Sequence, residues 1–329
     1  GAMTPFGTTS DGREVHAIDI ATGEIEVRIL TYGAVINDVR VGGLPMTLGS
    51  PDIAAYEGPL ASFGSLMGPV VNRIRGASAE IAGDTYQFEA NFEGAHTLHS
   101  GRGASHEQVW SVEAQTADSV TLALALPDGL GGFPGNRNVR VTYTVAGTSL
   151  TMAVEATTDA ATLFSFANHS YWSLDGAVGY AGHTLTIPAE TYLEAGPDLM
   201  PTGQRVPVEG TAYDARNGLT LTADDTQFFD LNYCIAEAHG PLREIARLRS
   251  PEGREMVMES TTPGLQVYDC GTINGAGFAT HHGQAYSFYA GVALEAQLWP
   301  GAAHDASFPS IRFGPGETYA QTTRWSFSV

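Results

Sequence analysis

The chain has 329 residues, of which 43% are hydrophobic and 16% charged, so it carries enough apolar material for one large domain or two modest ones. Its 16 basic and 36 acidic residues give a formal net charge of −20. A field of this sign repels phosphate backbones and anionic lipid, and no Lys/Arg run offers a local exception. The composition therefore argues against nucleic acid and membrane surfaces as partners.

The two cysteines, Cys234 and Cys270, are too few for a disulfide framework and are expected to be free thiols in a reducing compartment. Apolar stretches are interrupted well short of the ~18 residues of a membrane span. The opening Gly1-Ala2-Met3 resembles the remnant of a cleaved expression tag, with no secretory signal behind it. We therefore expect a cytoplasmic protein.

Short runs rich in β-branched and aromatic residues recur along the chain, whereas helical periodicity is almost absent. Several of these runs alternate apolar with polar residues, as strands do when one face lies in a core and the other in water. In chain order, the predicted strands are Glu24–Leu30, Ser119–Leu126, Val139–Val145, Ser149–Ala156, His183–Ala189 and Tyr286–Gln297.

The organisation along the chain favours one all-β domain, residues 4–329, built from antiparallel hairpins. Val139–Val145 and Ser149–Ala156 are separated by Ala146-Gly147-Thr148, a spacing typical of a hairpin with a glycine in its loop. No repeat of fixed period indicates a propeller or solenoid. The Gly/Pro-rich segments 129–135 and 194–204 are predicted to be loops within the domain.

Four polar side chains interrupt otherwise apolar stretches: Arg73, His99, His169 and Glu295. A carboxylate in a run as apolar as YAGVALEAQLW either pairs with a cation or has a raised pKa, and both situations are frequent at catalytic sites. From the pattern alone, Glu295 is equally compatible with a catalytic role and with a structural ion pair to Arg73 or another arginine. His169 alone fits a hydrogen-bonded core histidine better than a proton carrier.

Other chemistries lack their motifs. The sequence has no G-x-S-x-G elbow, no P-loop and no G-x-G-x-x-G that opens a helix. His96 and His99 are three residues apart, which places them on opposite faces of an extended segment, and no Cys or carboxylate accompanies them at ligand spacing. We therefore predict no metal site.

The chain resembles the aldose 1-epimerases, or galactose mutarotases, nearly from end to end. The blocks that carry the resemblance include NRIRGASAEIAGDTYQFEAN at Asn72–Asn91, TLHSG at Thr97–Gly101, FANHSYWSL at Phe166–Leu174, DLNY at Asp230–Tyr233, TTPGLQVY at Thr261–Tyr268, ALEAQ at Ala293–Gln297 and FPSIRFGPGETYAQTTRWSF at Phe308–Phe327. NHSYW and LEAQ followed by PGETY are specific in combination, whereas either alone is weak.

The resemblance implies a large antiparallel β-sandwich, the galactose mutarotase-like supersandwich, and a reaction that interconverts the α and β anomers of a free aldose without a cofactor. By matching position, His169 is the general acid and Glu295 the general base. The family's sugar-binding positions are occupied by Arg73, His99, Asp230 and Gln266. The chemistry implies a cationic His169 and an anionic Glu295 near neutral pH, each supporting the other's charge. The expected partner is a monosaccharide, and the chain is expected to be a monomer or homodimer.

Two alternatives remain open: an epimerase-like enzyme for a phosphorylated or acidic sugar, and a non-catalytic sugar-binding module.

The chain also departs from the family pattern. Leu231 follows Asp230 where the family usually has a histidine, which puts the choice of sugar in doubt. The pair His281-His282 is interpreted either as part of a solvated loop or as a rim contact to substrate. Among Trp172, Tyr171 and Trp299, at least two are expected to be ordinary core aromatics and the third to offer the sugar an apolar face.

Overall fold

The computed structural model describes residues 3–328, so Gly1 and Ala2 of the expected tag remnant lie outside the described residues, as does Val329. The first half of the chain forms the strands Met3–Thr8 (β1), Glu14–Ala21 (β2), Ile25–Leu30 (β3), Ile36–Val41 (β4), Leu44–Pro45 (β5), Leu66–Met67 (β6), Arg73–Ile74 (β7), Ser78–Ile81 (β8), Asp84–Gln87 (β9), Thr97–Leu98 (β10), Ser111–Gln115 (β11), Ser119–Leu126 (β12), Arg137–Ala146 (β13) and Ser149–Thr158 (β14).

The second half forms Thr162–Leu163 (β15), Ala167–Asn168 (β16), Tyr171–Trp172 (β17), Thr184–Thr186 (β18), Thr191–Ala195 (β19), Pro201–Pro207 (β20), Leu219–Thr220 (β21), Asp230–Cys234 (β22), Arg243–Arg249 (β23), Glu255–Ser260 (β24), Gly264–Tyr268 (β25), Val292–Gln297 (β26), Arg312–Phe313 (β27) and Tyr319–Ser328 (β28). Within residues 3–328, helical structure is limited to one α-helical turn, Ile53–Tyr56 (α1), and 3₁₀ turns at Arg75–Ala77, Ser105–Glu107, Leu130–Gly132 and Ala302–His304. No described helix has the length and apolar character that crossing a membrane requires.

The largest sheet has nine strands in the order β11-β12-β13-β14-β28-β24-β23-β18-β21, all antiparallel to their neighbours. Its central hairpin pairs β13 with β14 from Arg137↔Thr158 to Ala146↔Ser149. Buried and exposed residues alternate along both strands, as the sequence predicts. The predicted hairpin is confirmed, with a turn of Gly147-Thr148 between the paired ends.

The second large sheet has six strands in the order β17-β26-β25-β22-β19-β20 and carries the candidate site on one face. In the register of β22, β25 and β26, Leu231, Val267 and Leu294 share one face and belong to the main hydrophobic core. The opposite face carries polar residues, because side chains along a strand alternate between the two faces. One sheet therefore separates the core from the candidate site.

The main core contains residues from both large sheets, which pack face to face. The indole rings of Trp172 on β17 and Trp325 on β28 lie 5.9 Å apart between centroids, and both are fully buried. A second apolar cluster joins the five-stranded sheet β1-β2-β3-β4-β5 to the other face of the six-stranded sheet, through Tyr171 and Ala293. The predicted all-β antiparallel sandwich is thus confirmed.

Two sequence-based boundaries are wrong. The predicted strand Tyr286–Gln297 begins only at Val292, because Tyr289 has a left-handed backbone (φ 62°) that no strand accommodates. The predicted loop 194–204 is mostly strand, since β19 and β20 pair up to Ala195↔Pro201 and leave only residues 196–200 as the connection. The expected free thiols, Cys234 and Cys270, are both unpaired and buried.

Candidate active site

A cavity of about 420 Å³ opens on the polar face of the six-stranded sheet. It is lined by all six side chains that the sequence predicts as functional: Arg73, His99, His169, Asp230, Gln266 and Glu295. A concave site with a few convergent polar groups and titratable residues is the usual form of a small-molecule site. The residues come from segments far apart in sequence, so only the fold brings them together.

His169 lies in the short connection between β16 and β17, where the chain leaves one strand partner for another. Asn168 shapes this connection: its Oδ1 accepts the Ser170 N–H at 3.0 Å and its Nδ2 donates to the Gly64 carbonyl at 3.1 Å. The backbone of His169 is held on both sides, since its N–H donates to Ser65 O and its carbonyl accepts from Gly64 N–H. These bonds fix the direction in which the imidazole enters the cavity.

Glu295 projects from β26, and its side chain is almost entirely buried. Its neighbours Leu294 and Ala296 point to the opposite face and pack in the main core. Oε1 of Glu295 lies 3.3 Å from Nε2 of His169, without the alignment of a hydrogen bond. The nearest ionisable side chain to Glu295 is therefore His169, another titratable group of the cavity, and not an arginine. This geometry favours a catalytic role for Glu295 over a structural ion pair with an arginine.

Burial shifts the pKa values of this pair in opposite directions. The pKa of His169 falls to about 4, mainly because desolvation disfavours the imidazolium. The pKa of Glu295 rises well above its ordinary value, mainly through desolvation and then through the Asp230 carboxylate, against an opposing effect of Arg73. Desolvation thus opposes the expected cationic His169 and anionic Glu295, whereas the 3.3 Å approach of the two groups favours that charged pair.

His99 is held in one tautomer by the backbone of Asn72. The Asn72 N–H donates to His99 Nδ1 at 3.0 Å, so a neutral His99 carries its proton on Nε2. The pKa of His99 lies well below its ordinary value because the ring is buried, with smaller effects of His169, His106 and Arg73. The rings of His99 and His169 meet edge to face, with centroids 5.4 Å apart. His99 therefore offers the cavity a neutral N–H donor.

The donor set fits a metal ion poorly. Ligand atoms of His99, His169 and Glu295 lie within 4.8 Å of one another. A metal needs an unprotonated nitrogen, however, and the proton of neutral His99 is on the nitrogen left free by its bond to Asn72. His96 belongs elsewhere, because its Nδ1 accepts the Gly76 N–H and its Nε2 faces Asp198 at 4.0 Å.

Asp230, at the start of β22, is held by two donors. Arg73 Nη2 donates to its Oδ2 at 3.0 Å, and Gln266 Nε2 donates to its Oδ1 at 2.7 Å. The Arg73 guanidinium also lies over the Phe92 ring, 4.8 Å from its centroid. The carboxylate keeps further lone pairs for hydroxyl donors, and Arg73 keeps further N–H groups for hydroxyl acceptors.

Of the three aromatics singled out in the sequence, only Tyr171 lines the cavity. Its ring packs against His169 at 5.1 Å between centroids, and its hydroxyl lies 3.0 Å from Ser62 Oγ. Trp172 and Trp299 belong to the main core, as expected for at least two of the three.

Sequence reasoning missed Tyr268, which also lines the cavity. Its position two residues after Gln266 on one strand was the available signal.

Among the other cavity-wall residues that the sequence did not single out, Asn72 and Asp269 hold parts of the site in place. Asn72 lines it beside Arg73 and orients His99, although its left-handed backbone (φ 69°) gives no sequence signal. Asp269 follows β25 and is buried, with its carboxylate accepting the N–H groups of Phe229 and Gly271. It holds the segment after β25 against the start of β22.

Leu231, which follows Asp230 in the sequence, has its side chain mainly in the hydrophobic core. It shares a face with Val267 and Leu294 and is part of the main core, on the side of the sheet opposite to Asp230. Leu231 does not line the 420 Å³ cavity, but it does line a small pocket of about 20 Å³ beside Arg73, Asp230 and Gln266.

The pair His281-His282 lies in a turn, as the loop interpretation expects, although both rings also make hydrogen bonds. His281 Nε2 lies 3.0 Å from Asn37 Oδ1, and His282 Nδ1 lies 2.7 Å from the Tyr286 hydroxyl. Both rings are partly buried, and neither lines the cavity. His281 links the segment between β25 and β26 to Asn37, whereas the His282 contact lies within that segment.

A profile of the family described as aldose 1-epimerase matches residues 16–326. The chain belongs to the aldose 1-epimerase family. Galactose mutarotase from Mus musculus is 32% identical over 99% of this chain and 98% of its own, and galactose mutarotase from Homo sapiens is 31% identical over 97% and 96%. The crystal structure of an aldose epimerase homologue from C. elegans superimposes with a TM-score of 0.87, at 26% identity over 95% of this chain and 98% of that one.

Proposed function

We propose that this member of the aldose 1-epimerase family is a mutarotase, which interconverts the α and β anomers of a free aldose. The observation that carries the proposal is the His169–Glu295 pair, 3.3 Å apart and buried in a cavity whose other polar groups suit sugar hydroxyls. The galactose mutarotase relatives, matched over nearly their whole length, support it.

The chemistry needs one base and one acid. The Glu295 carboxylate takes the proton of the C1 hydroxyl, the C1–O5 bond breaks, and His169 gives its proton to O5, which leaves an open-chain aldehyde. Rotation about C1–C2 presents the other face of the carbonyl to O5. Closure runs the same proton transfers backwards and returns each group to its starting state.

Burial of the His169 and Glu295 side chains favours one step of this cycle, the opening of the sugar ring. The pair carries one proton whether it is charged, with imidazolium and carboxylate, or uncharged, with imidazole and carboxylic acid. Ring opening converts the charged arrangement into the uncharged one, which burial favours through the pKa shifts of His169 and Glu295. The low-polarity site therefore favours the opening step, whereas hydroxyl contacts to Glu295 and the nearby Arg73 favour the charged pair that begins it.

The remaining polar groups are suited to a neutral sugar. His99 offers an N–H donor, Asp230 offers acceptors and Tyr171 offers an apolar ring face. Among the described residues that line the cavity, Arg73 is the one lysine or arginine, and it is already paired with Asp230. A phosphorylated or acidic sugar lacks a free cation here, which disfavours that alternative.

The test is the decay of optical rotation of freshly dissolved α-D-galactose and α-D-glucose. Addition of the protein is expected to accelerate the approach to the equilibrium rotation above the buffer rate for at least one aldose. A rate equal to that of buffer across a panel of aldoses, with the protein folded, contradicts the proposal. Binding of the same sugars by calorimetry without acceleration supports the non-catalytic binding module instead.

The single domain over residues 4–329 and the cytoplasmic location are retained as predictions from the sequence.

A further inference from the structure

Gln297 lies two residues after Glu295 on β26 and is fully buried. It does not line the cavity. Its side-chain Nε2 approaches two amide oxygens, Asn232 Oδ1 at 3.1 Å and Gln266 Oε1 at 3.3 Å. Gln266 in turn uses its own Nε2 to donate to Asp230. We propose that Gln297 is a positioning residue, which sets the orientation of the Gln266 amide and through it the Asp230 carboxylate that receives the sugar.

The proposal depends on which end of the Gln266 amide accepts a hydrogen bond and which end donates one. An amide side chain has a donor end and an acceptor end, and a flip exchanges them. Gln297 supplies donors to the oxygen end of Gln266, so the nitrogen end faces Asp230. Without those donors the oxygen of Gln266 is buried and unpaired, and the side chain gains by turning toward the N–H and O–H groups of the cavity. Such a turn breaks the 2.7 Å bond to Asp230.

The packing around Gln297 indicates that its side chain is needed for its N–H donors more than for the volume it fills. Its Oε1 is buried without a hydrogen-bond partner, an unfavourable state that a methionine of similar size would remove. The strand next to it carries Gly264, where an added Cβ would stand 2.6 Å from Asn232 Oδ1 and 2.8 Å from the Gln297 carbonyl oxygen. The glycine therefore leaves the room that the Asn232 side chain occupies beside Gln297.

The inference rests on the proposed mutarotase function, because its readout is the kinetics of anomerisation. Gln297→Met keeps the volume and removes both donors. We expect KM to rise about tenfold, the scale associated with a buried acceptor that loses its donor, with kcat within about threefold of wild type. Gln297→Leu, which has no hydrogen-bond donor, takes its place if the methionine variant fails to fold.

The matched control is Gln321→Met on β28. Gln321 is equally buried and donates from Nε2 to Phe166 O and to the Tyr319 hydroxyl, outside the cavity. It is expected to lose stability, as seen by its urea midpoint, without a change in KM. An equal KM for Gln297→Met and wild type, or an equal KM increase in both variants, overturns the inference.

A double-mutant cycle separates positioning from a general packing effect. If Gln297 acts through Gln266, adding Gln297→Met to Gln266→Ala changes kcat/KM by less than about twofold. Additive losses contradict the proposal. An inactive wild-type protein contradicts the proposed function itself, so the two failures are distinct.

Discussion

Nε2 of His169 lies 3.3 Å from Oε1 of Glu295, with the imidazole on the connection between β16 and β17 and the carboxylate on β26. Both side chains are buried, and burial lowers the pKa of His169 and raises the pKa of Glu295. Both shifts favour the uncharged form of the side chain. The two groups therefore titrate as one unit that holds a single proton between its two pKa values. Such a pair is able to pass through a proton-transfer cycle without exchanging protons with solvent.

The first prediction concerns the pH profile of kcat/KM. Below pH about 4 the pair binds a second proton, because that is where the pKa of His169 lies. On the high-pH side it loses its last proton, at a pKa that burial holds well above the ordinary value of a carboxyl group. We expect a plateau between these limbs, measured by polarimetry in buffers of constant ionic strength. An acid limb at the ordinary histidine pKa of ~6.5 contradicts the assignment.

The second prediction concerns Asp230→Asn. The Asp230 carboxylate raises the pKa of Glu295, so removal of its charge lowers that pKa and moves the alkaline limb of kcat/KM to lower pH. KM is also expected to rise about tenfold, since a hydroxyl loses a charged acceptor. The pH profile of the variant is the measurement. An unshifted alkaline limb would mean that the two carboxyl groups do not interact.

The third prediction concerns acid stability. His106 is buried and its pKa is lowered to about 4 by desolvation. As pH decreases, His106 of the unfolded chain binds a proton near pH ~6.5, whereas His106 of the folded protein binds one only near pH about 4. The free energy of unfolding therefore falls as pH decreases between these two values. His106→Gln is expected to reduce the slope of unfolding free energy against pH by up to ~1.4 kcal/mol per unit. Urea unfolding between pH 4 and 7 tests this, and an unchanged slope contradicts it.

The fourth prediction concerns Leu231, whose side chain packs in the main core. Leu231→Ala is expected to lower the unfolding free energy by about 2–4 kcal/mol, the usual effect of a truncated core leucine. The ratio of kcat/KM for galactose and glucose is expected to stay within twofold of wild type, at a temperature where the variant is folded. A changed ratio with little loss of stability would place Leu231 at the site after all.

The sequence predicts the strands well wherever apolar and polar residues alternate, as along β12, β13 and β14. It fails at Tyr289, whose left-handed backbone ends the apolar run before β26 begins, because a tyrosine gives no signal for positive φ. The predicted site residues do converge on one cavity. Their convergence follows from pairing between strands distant in the chain, which no local pattern encodes.

The differences between the sequence expectations and the site have identifiable causes. Leu231 follows Asp230 in the sequence, but successive residues of a strand point to opposite faces. The charges of His169 and Glu295 were predicted from what the reaction requires, whereas their pKa values depend on burial, which the sequence does not reveal. Gln297 was part of a motif but had no assigned role, since its contacts with Asn232 and Gln266 exist only across the sheet.

The most direct test of the central claim is the rate of α-D-galactose anomerisation by wild type and by Glu295→Gln, followed by polarimetry, with sugar affinity measured by calorimetry on the same samples. The glutamine keeps the shape of Glu295 and removes the base. We predict that wild type accelerates anomerisation and that the variant loses about 10²–10⁴-fold in kcat while it binds galactose within a few-fold of wild type. A folded Glu295→Gln variant that anomerises galactose at the wild-type rate would contradict the account.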